Sequence, residues 1–168
     1  MPVEPTSNGF ATTYAIGDAM NFDIVMKSPK ATSDIKWLEK KIVEIESYLN
    51  NLISFKPETL REYETNLQKK WACERACERI SEGLVDLAIF LIRIKDINYN
   101  EEDEKAFSVL LKNKIIDEML CEKLRNLKGM RDHIAHRYGE INDPMVFDAI
   151  NNEIEEDANN SLILPRPL

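Results

Sequence analysis

Apolar residues recur at helical spacing through most of the chain, and no stretch is long enough in strict alternation to build a sheet. Ile35, Leu38, Ile42, Ile45, Leu49 and Leu52 lie three and four apart with charged residues opposite. This narrow seam predicts an amphipathic helix that starts near Ser33 or Asp34, either of which can cap it. Lys56-Pro57 ends it, because the residue before a proline is pushed out of helical geometry. A second, long helix is expected from about Glu58 to Ile94. Its later half carries Ile80, Leu84, Leu87, Leu91 and Ile94 on one stripe, and Cys73 and Cys77 extend that stripe backwards. Gly83 inside it costs about 1 kcal/mol relative to alanine and points to a close helix crossing.

Asn98 to Glu102 reads as a loop and helix start. Ala106, Phe107, Leu110 and Leu111 form a short third helix, with Asn113 as its left-handed stop. Asp117 then caps a fourth helix that runs toward Tyr138. Asp143 caps a last helix with Pro144 at its first position, and this helix carries Val146, Phe147 and Ile150. The fold class is therefore all-α, an antiparallel helical bundle. Residues 1–32 form an N-terminal arm broken by Pro2, Pro5, Gly9, Gly17 and Pro29, residues 33–158 the helical domain, and residues 159–168 an apolar, proline-containing tail.

Composition narrows the class. With 43% hydrophobic and 31% charged residues the chain is globular, neither disordered nor fibrous. No segment approaches the ~20 apolar residues that span a bilayer, and no basic-then-apolar leader opens the chain. The expectation is a cytoplasmic protein without a membrane partner. The three cysteines make an odd count. Cys73 and Cys77, one helical turn apart among Ala72 and Ala76, read as two small buried side chains rather than a metal or redox pair. No second cysteine pair or histidine cluster stands at zinc spacing, so neither metal nor cofactor is expected.

The net charge of −8 argues against loose, nonspecific binding of nucleic acid. Its distribution says more. From Lys105 to Arg137 eight bases face four acids (Asp117, Glu118, Glu122 and Asp132), whereas the chain after Tyr138 is strongly acidic. An anionic ligand would prefer the basic segment, where Arg125, Lys128 and Arg137 are candidates to contact it.

The stretch from Gly129 to Gly139 holds both histidines of the protein, His133 and His136. At about 100° per residue, Leu120, Leu124, Leu127, Arg131, Ile134 and Tyr138 share one stripe of the fourth helix. Arg131 stands where leucine would serve stability better, so its guanidinium must be paired, or must face a cleft or a partner. Asp132 and His136 are four apart, within reach of a hydrogen bond that would fix the imidazole tautomer. In an unbroken helix His136 lies about 140° round from Arg131. Either the helix ends before His136, or a second subunit completes the site, which implies a homodimer across the fourth helix. Arginine plus histidine without metal ligands suits RNA cleavage. The ribose 2′-hydroxyl is an internal nucleophile, histidine moves the proton, and arginine neutralises the phosphorane. A structural reading stays open on spacing alone, since His-x-x-His at a helix end can be two polar caps.

Arg131, four residues, His136, one residue, Tyr138 resembles the signature of HepT, the toxin of the MntA–HepT pair within the HEPN superfamily. Asp132 directly after the arginine fits as well. Glu74 to Leu84 is similar to that family's second-helix segment, Phe107 to Ile116 to its turn into the motif helix, and Ile141-Asn142-Asp143-Pro144 to its exit. The resemblance covers roughly Asp34 to Asp157. It implies a HEPN-like bundle and a metal-independent endoribonuclease of a type VII-like toxin–antitoxin pair. Arg131 and His136 would be the catalytic pair, Asp132 a supporting residue, and Tyr138 the tyrosine that a partner nucleotidyltransferase, MntA, modifies with AMP. His133 lies outside the signature and reads as structural or supporting. Two other readings compete: a non-catalytic helper that binds substrate or nucleotide for a separate nucleotidyltransferase, and a structural helical dimer.

Overall fold

The computed structural model describes residues 31–100, 105–136 and 142–153. The N-terminal arm up to residue 30, the C-terminal tail, and Arg137 and Tyr138 lie outside the described residues. Helix α1 (Ala31–Phe55) is followed by a short α2 (Leu60–Thr65) and the long α3 (Leu67–Ile94). Helices α4 (Ala106–Lys112), α5 (Glu118–His136) and α6 (Asp143–Asp148) follow, and a π-turn over Ala149–Glu153 extends α6. The described residues are all-α, as the periodicity predicts, and none of their helices is long and apolar enough to cross a membrane.

The single helix expected from Glu58 to Ile94 is two. Asn66 leaves helical geometry at φ −95° and ψ 87°, ending α2 and capping α3. Its backbone N–H donates to the Glu62 carbonyl at 2.8 Å, while its side-chain oxygen accepts from the Lys69 amide at 3.1 Å. Thr59 caps α2 in the same way, its hydroxyl accepting from the Glu62 amide at 3.1 Å. These polar side chains compete locally with the helix backbone, which an apolar stripe does not reveal. The break lets Tyr63 turn into the core. There its hydroxyl donates to the buried Glu74 carboxylate at 3.4 Å, and its ring tilts against Phe147.

Helix α3 is the axis of the bundle. Helix α1 lies antiparallel to it: Trp37 stacks on Phe90 at 4.4 Å, Lys41 bridges Asp86 at 3.1 Å, and Ile45 covers Gly83. A Cβ on Gly83 would meet Cγ1 of Ile45 at 2.6 Å, so the glycine marks a close crossing, as expected. Leu84, Leu87 and Leu91 are buried along the same helix. At about 25 cal/mol per Å² this continuous apolar core is the main source of stability. Cys73 and Cys77 are buried and unpaired. Burial pushes the Cys73 thiol up to about 11 and raises Cys77 too, so both are inert packing groups.

Both turns that follow α3 and α4 close with a left-handed residue. After α3 it is Asp96 at φ 52°, with Ile97 N–H donating to the Ile92 carbonyl at 3.1 Å. After α4 it is Lys114 at φ 56°, not Asn113 as expected. Asn113 holds the cap itself, its side-chain amide donating to the Val109 carbonyl at 2.8 Å. Asp117 caps α5 as predicted, accepting from the Leu120 amide at 2.7 Å. The cap of α6 is Asn142, one residue earlier than expected, and it accepts from the Met145 amide at 3.2 Å.

Candidate active site

Helix α5 packs its buried residues Cys121, Leu124, Met130 and Ile134 inward. Leu120 and Leu127 are half-buried on the same side, and Arg131 continues their stripe. Its side chain is 30% exposed, so the guanidinium is neither sunk in the core nor fully solvated. It donates to Glu82 of α3 at 3.2 Å and to Asp132 at 3.1 Å. Asp132 then Glu82 hold the guanidinium more firmly protonated than usual. Two carboxylates on different helices thus fix its direction, while part of its surface stays open to an anion.

Asp132 divides its carboxylate, one oxygen accepting from Arg131 and the other from Lys128 at 2.9 Å. Partial burial alone would raise this carboxyl. The hydrogen bonds from Lys128 and Arg131 reverse that, and the net shift is downward. Asp132 therefore stays ionised and serves as an acceptor that orients two cations.

His136 is the last described residue of α5 and is exposed. The helix does not end before it, which removes one of the two alternatives for bringing it to Arg131. His133, a turn earlier, accepts from the Asn142 amide at 3.4 Å and so ties the helix end to the start of α6. That exit is fastened again by Lys70 of α3, which meets Asp143 at 2.6 Å. The start of α6 is thereby held to both α5 and α3.

A cavity of about 720 Å³ opens between α3, α4 and α5, and Arg131 is joined to it through its partner Asp132. Asp132 forms part of its wall, and so do Arg125 and Lys128, two of the three residues expected to contact an anion. Arg125 also donates to the Ser108 hydroxyl at 2.8 Å, which steadies it on the rim. Sequence reasoning missed Glu82, Lys105 and Ser108. Glu82 and Ser108 reach the site by tertiary contact, from positions 49 and 17 residues away from their partners, which periodicity does not show. Lys105 had counted only as one charge in the basic segment. Among the described residues no group of histidine, cysteine and carboxylate side chains is arranged to hold a metal ion.

Residues 38–160 match the family model described as "Ribonuclease HepT-like". The chain belongs to the ribonuclease HepT-like family. It is 23% identical over 119 residues to a "tRNA nuclease HepT" of Aphanizomenon flos-aquae, covering 71% of this chain and 81% of that one. It is 24% identical over 79 residues to an "mRNA nuclease HepT" of Shewanella oneidensis, covering 47% of this chain and 59% of the relative. The fold superposes on a tri-AMPylated Shewanella oneidensis HEPN toxin solved in complex with MNT antitoxin. That comparison has a TM-score of 0.62 at 20% identity and covers 72% of this chain and 90% of the other. The architecture is thus HEPN-like, and the HepT resemblance read from the motif is correct at the level of family and fold.

Proposed function

We propose that this HepT-like chain is a metal-independent endoribonuclease toxin whose chemistry rests on Arg131 and His136. The observation that carries the reading is the Arg131 guanidinium, held in direction by Glu82 and Asp132 and still 30% exposed on a stripe otherwise fit for leucine. A structural ion pair this exposed, worth about 0–1 kcal/mol, has little need of that position. A site that stabilises charge on a phosphorane does. Curated relatives named as tRNA and mRNA nucleases support RNA as the substrate. In the reaction the ribose 2′-oxygen attacks the adjacent phosphorus as its proton passes to a base. The 5′-oxygen leaves with a proton from an acid. A 2′,3′-cyclic phosphate and a 5′-hydroxyl result. His136 is assigned the proton transfers and Arg131 the phosphorane's charge.

Because α5 continues through His136, the two side chains of one copy diverge by about 140°. A homodimer across α5 answers this, with Arg131 of one copy working beside His136 of the other. Tyr138 is assigned as the site of AMP addition by a cognate MntA-like nucleotidyltransferase antitoxin. The AMPylated HEPN toxin bound to MNT antitoxin supports that pairing. The added phosphate and adenosine would set negative charge and bulk beside Arg131 and repel the substrate.

The deciding experiment incubates purified protein with RNA in excess chelator. Cleavage by the wild type that disappears in folded Arg131→Ala and His136→Ala variants supports the reading. Equal cleavage by all three refutes it. Mixing the two inactive variants tests the dimer, since a shared site regains activity in the mixed species.

A further inference from the structure

Two glycines lie inside the described helices, and only one is explained by its own surroundings. A Cβ on Gly83 would collide with Ile45, whereas a Cβ on Gly129 would meet nothing within 4 Å. Glycine in a helix interior is less stable than any residue that keeps helical geometry with a side chain. Gly129 sits in the middle of α5, with no crowding from within the described residues to require it.

Gly129 lines the cavity that Asp132, the partner of Arg131, also lines. Val85, Ile89 and Phe107 give that cavity apolar walls, and Tyr99 adds a second aromatic ring. Among the described residues, Lys105, Arg125 and Lys128 bring three cations to its lining and Asp132 one carboxylate, whose oxygens already serve Lys128 and Arg131. A cavity of mixed apolar and polar surface with cations in its wall matches a nucleobase carrying phosphates, because bases stack on apolar and aromatic surfaces while phosphates seek arginine and lysine. Its volume of about 720 Å³ suits a small-molecule-sized group.

We propose that this cavity is a nucleotide subsite of the RNA-binding surface. It holds one base of the strand beside the scissile linkage, with Arg125 and Lys128 on the neighbouring phosphates. The absent side chain of Gly129 is the opening through which the base enters. The proposal rests on the nuclease reading above for its ligand. Asp132 links the two sites physically, being at once a wall of the cavity and a partner of Arg131.

A plug tests it. Gly129→Leu keeps a good helix former in α5 and projects a side chain into the slot. The probe is a fluorescein-labelled 2′-O-methyl octanucleotide, which cannot be cleaved because its nucleophile is blocked. Its affinity is read by anisotropy across a salt series. The plug should weaken binding about tenfold, the scale of one lost base stack. Arg125→Ala should flatten the dependence of log affinity on log salt by about one unit. Unchanged affinity in folded Gly129→Leu overturns the subsite. So does a change confined to oligomeric state in sedimentation, which would show that a second copy covers this face. If Gly129→Leu does not fold, the Lys105→Ala/Arg125→Ala double variant takes its place, and unchanged affinity there overturns the proposal equally. The outcomes separate from those of the nuclease reading. Wild type that cleaves RNA while the plugged protein binds as before removes the subsite alone. Wild type that binds the probe in the slot but cleaves no RNA removes the nuclease alone.

Discussion

The crossing of α1 over α3 and the exposed face of α5 are built to opposite ends. At the crossing every choice favours packing: Gly83 makes room for Ile45, Trp37 stacks on Phe90, and Lys41 reaches across to Asp86. On α5 a glycine stands with no described residue against it, and an arginine occupies a leucine stripe. Lysine and arginine also gather there around one cavity. An uncrowded glycine inside a helix and a charge on an apolar stripe are choices expected where a protein is shaped for something outside itself. The first region explains why the chain folds, and the second carries the site proposed above.

The sharpest way to break this contrast is Arg131→Leu. If α5 is shaped for function, RNA cleavage falls by a factor of about 10² to 10³ while the melting temperature holds or rises. A partly exposed ion pair contributes only about 0–1 kcal/mol. A clear loss of stability in that variant would return Arg131 to a structural role. Leu87→Ala should do the converse. Leu87 is 0% exposed, so truncation is expected to lower stability by about 2–5 kcal/mol in urea titration, with activity per folded molecule retained. The two glycines then divide cleanly on one measurement. Gly83→Ala forces Ile45 aside and should destabilise by about 1–3 kcal/mol. Gly129→Ala, with open space around the new methyl, should stabilise by up to about 1 kcal/mol. The smallest expected effect concerns pH. The fold favours the ionised form of Asp132, so its clamp on Arg131 is intact above the ordinary carboxylate range near about 4 and fades as pH falls through the depressed value. Thermal scans of wild type and Asp132→Asn should therefore differ by a constant amount between pH 5 and 8, and converge only in acid.

What the sequence disclosed follows the range of the interactions involved. Asp117 was legible as a cap because its bond to Leu120 spans three residues. The spacing of Leu84, Leu87 and Leu91 sufficed to place the core. Asn66 was missed because it lies in a run without proline or glycine, although Thr59 and Asn66 each stand three residues before the amide they cap. Lys114 rather than Asn113 took the left-handed position because the side chain of Asn113 was already spent on Val109. Arg131 announced itself by interrupting an apolar stripe. Its partner Glu82 is 49 residues away on another helix, and nothing local connects them. The cavity was equally invisible, since Val85, Phe107 and Gly129 meet only once three helices are assembled.

The stacked ring of Trp37 and the 56% exposed ring of Trp71 give the molecule an optical reporter for each end of the bundle. The chain holds only these two tryptophans, so replacing either with phenylalanine leaves a single-colour probe. Trp37 sits on Phe90 and its emission follows the parting of α1 from α3. Trp71 follows Lys70, the residue that grips Asp143, so it reports on the start of α3, where α6 is fastened. Loosening of that end, while the far end stays closed, would register as a shift in one signal and silence in the other.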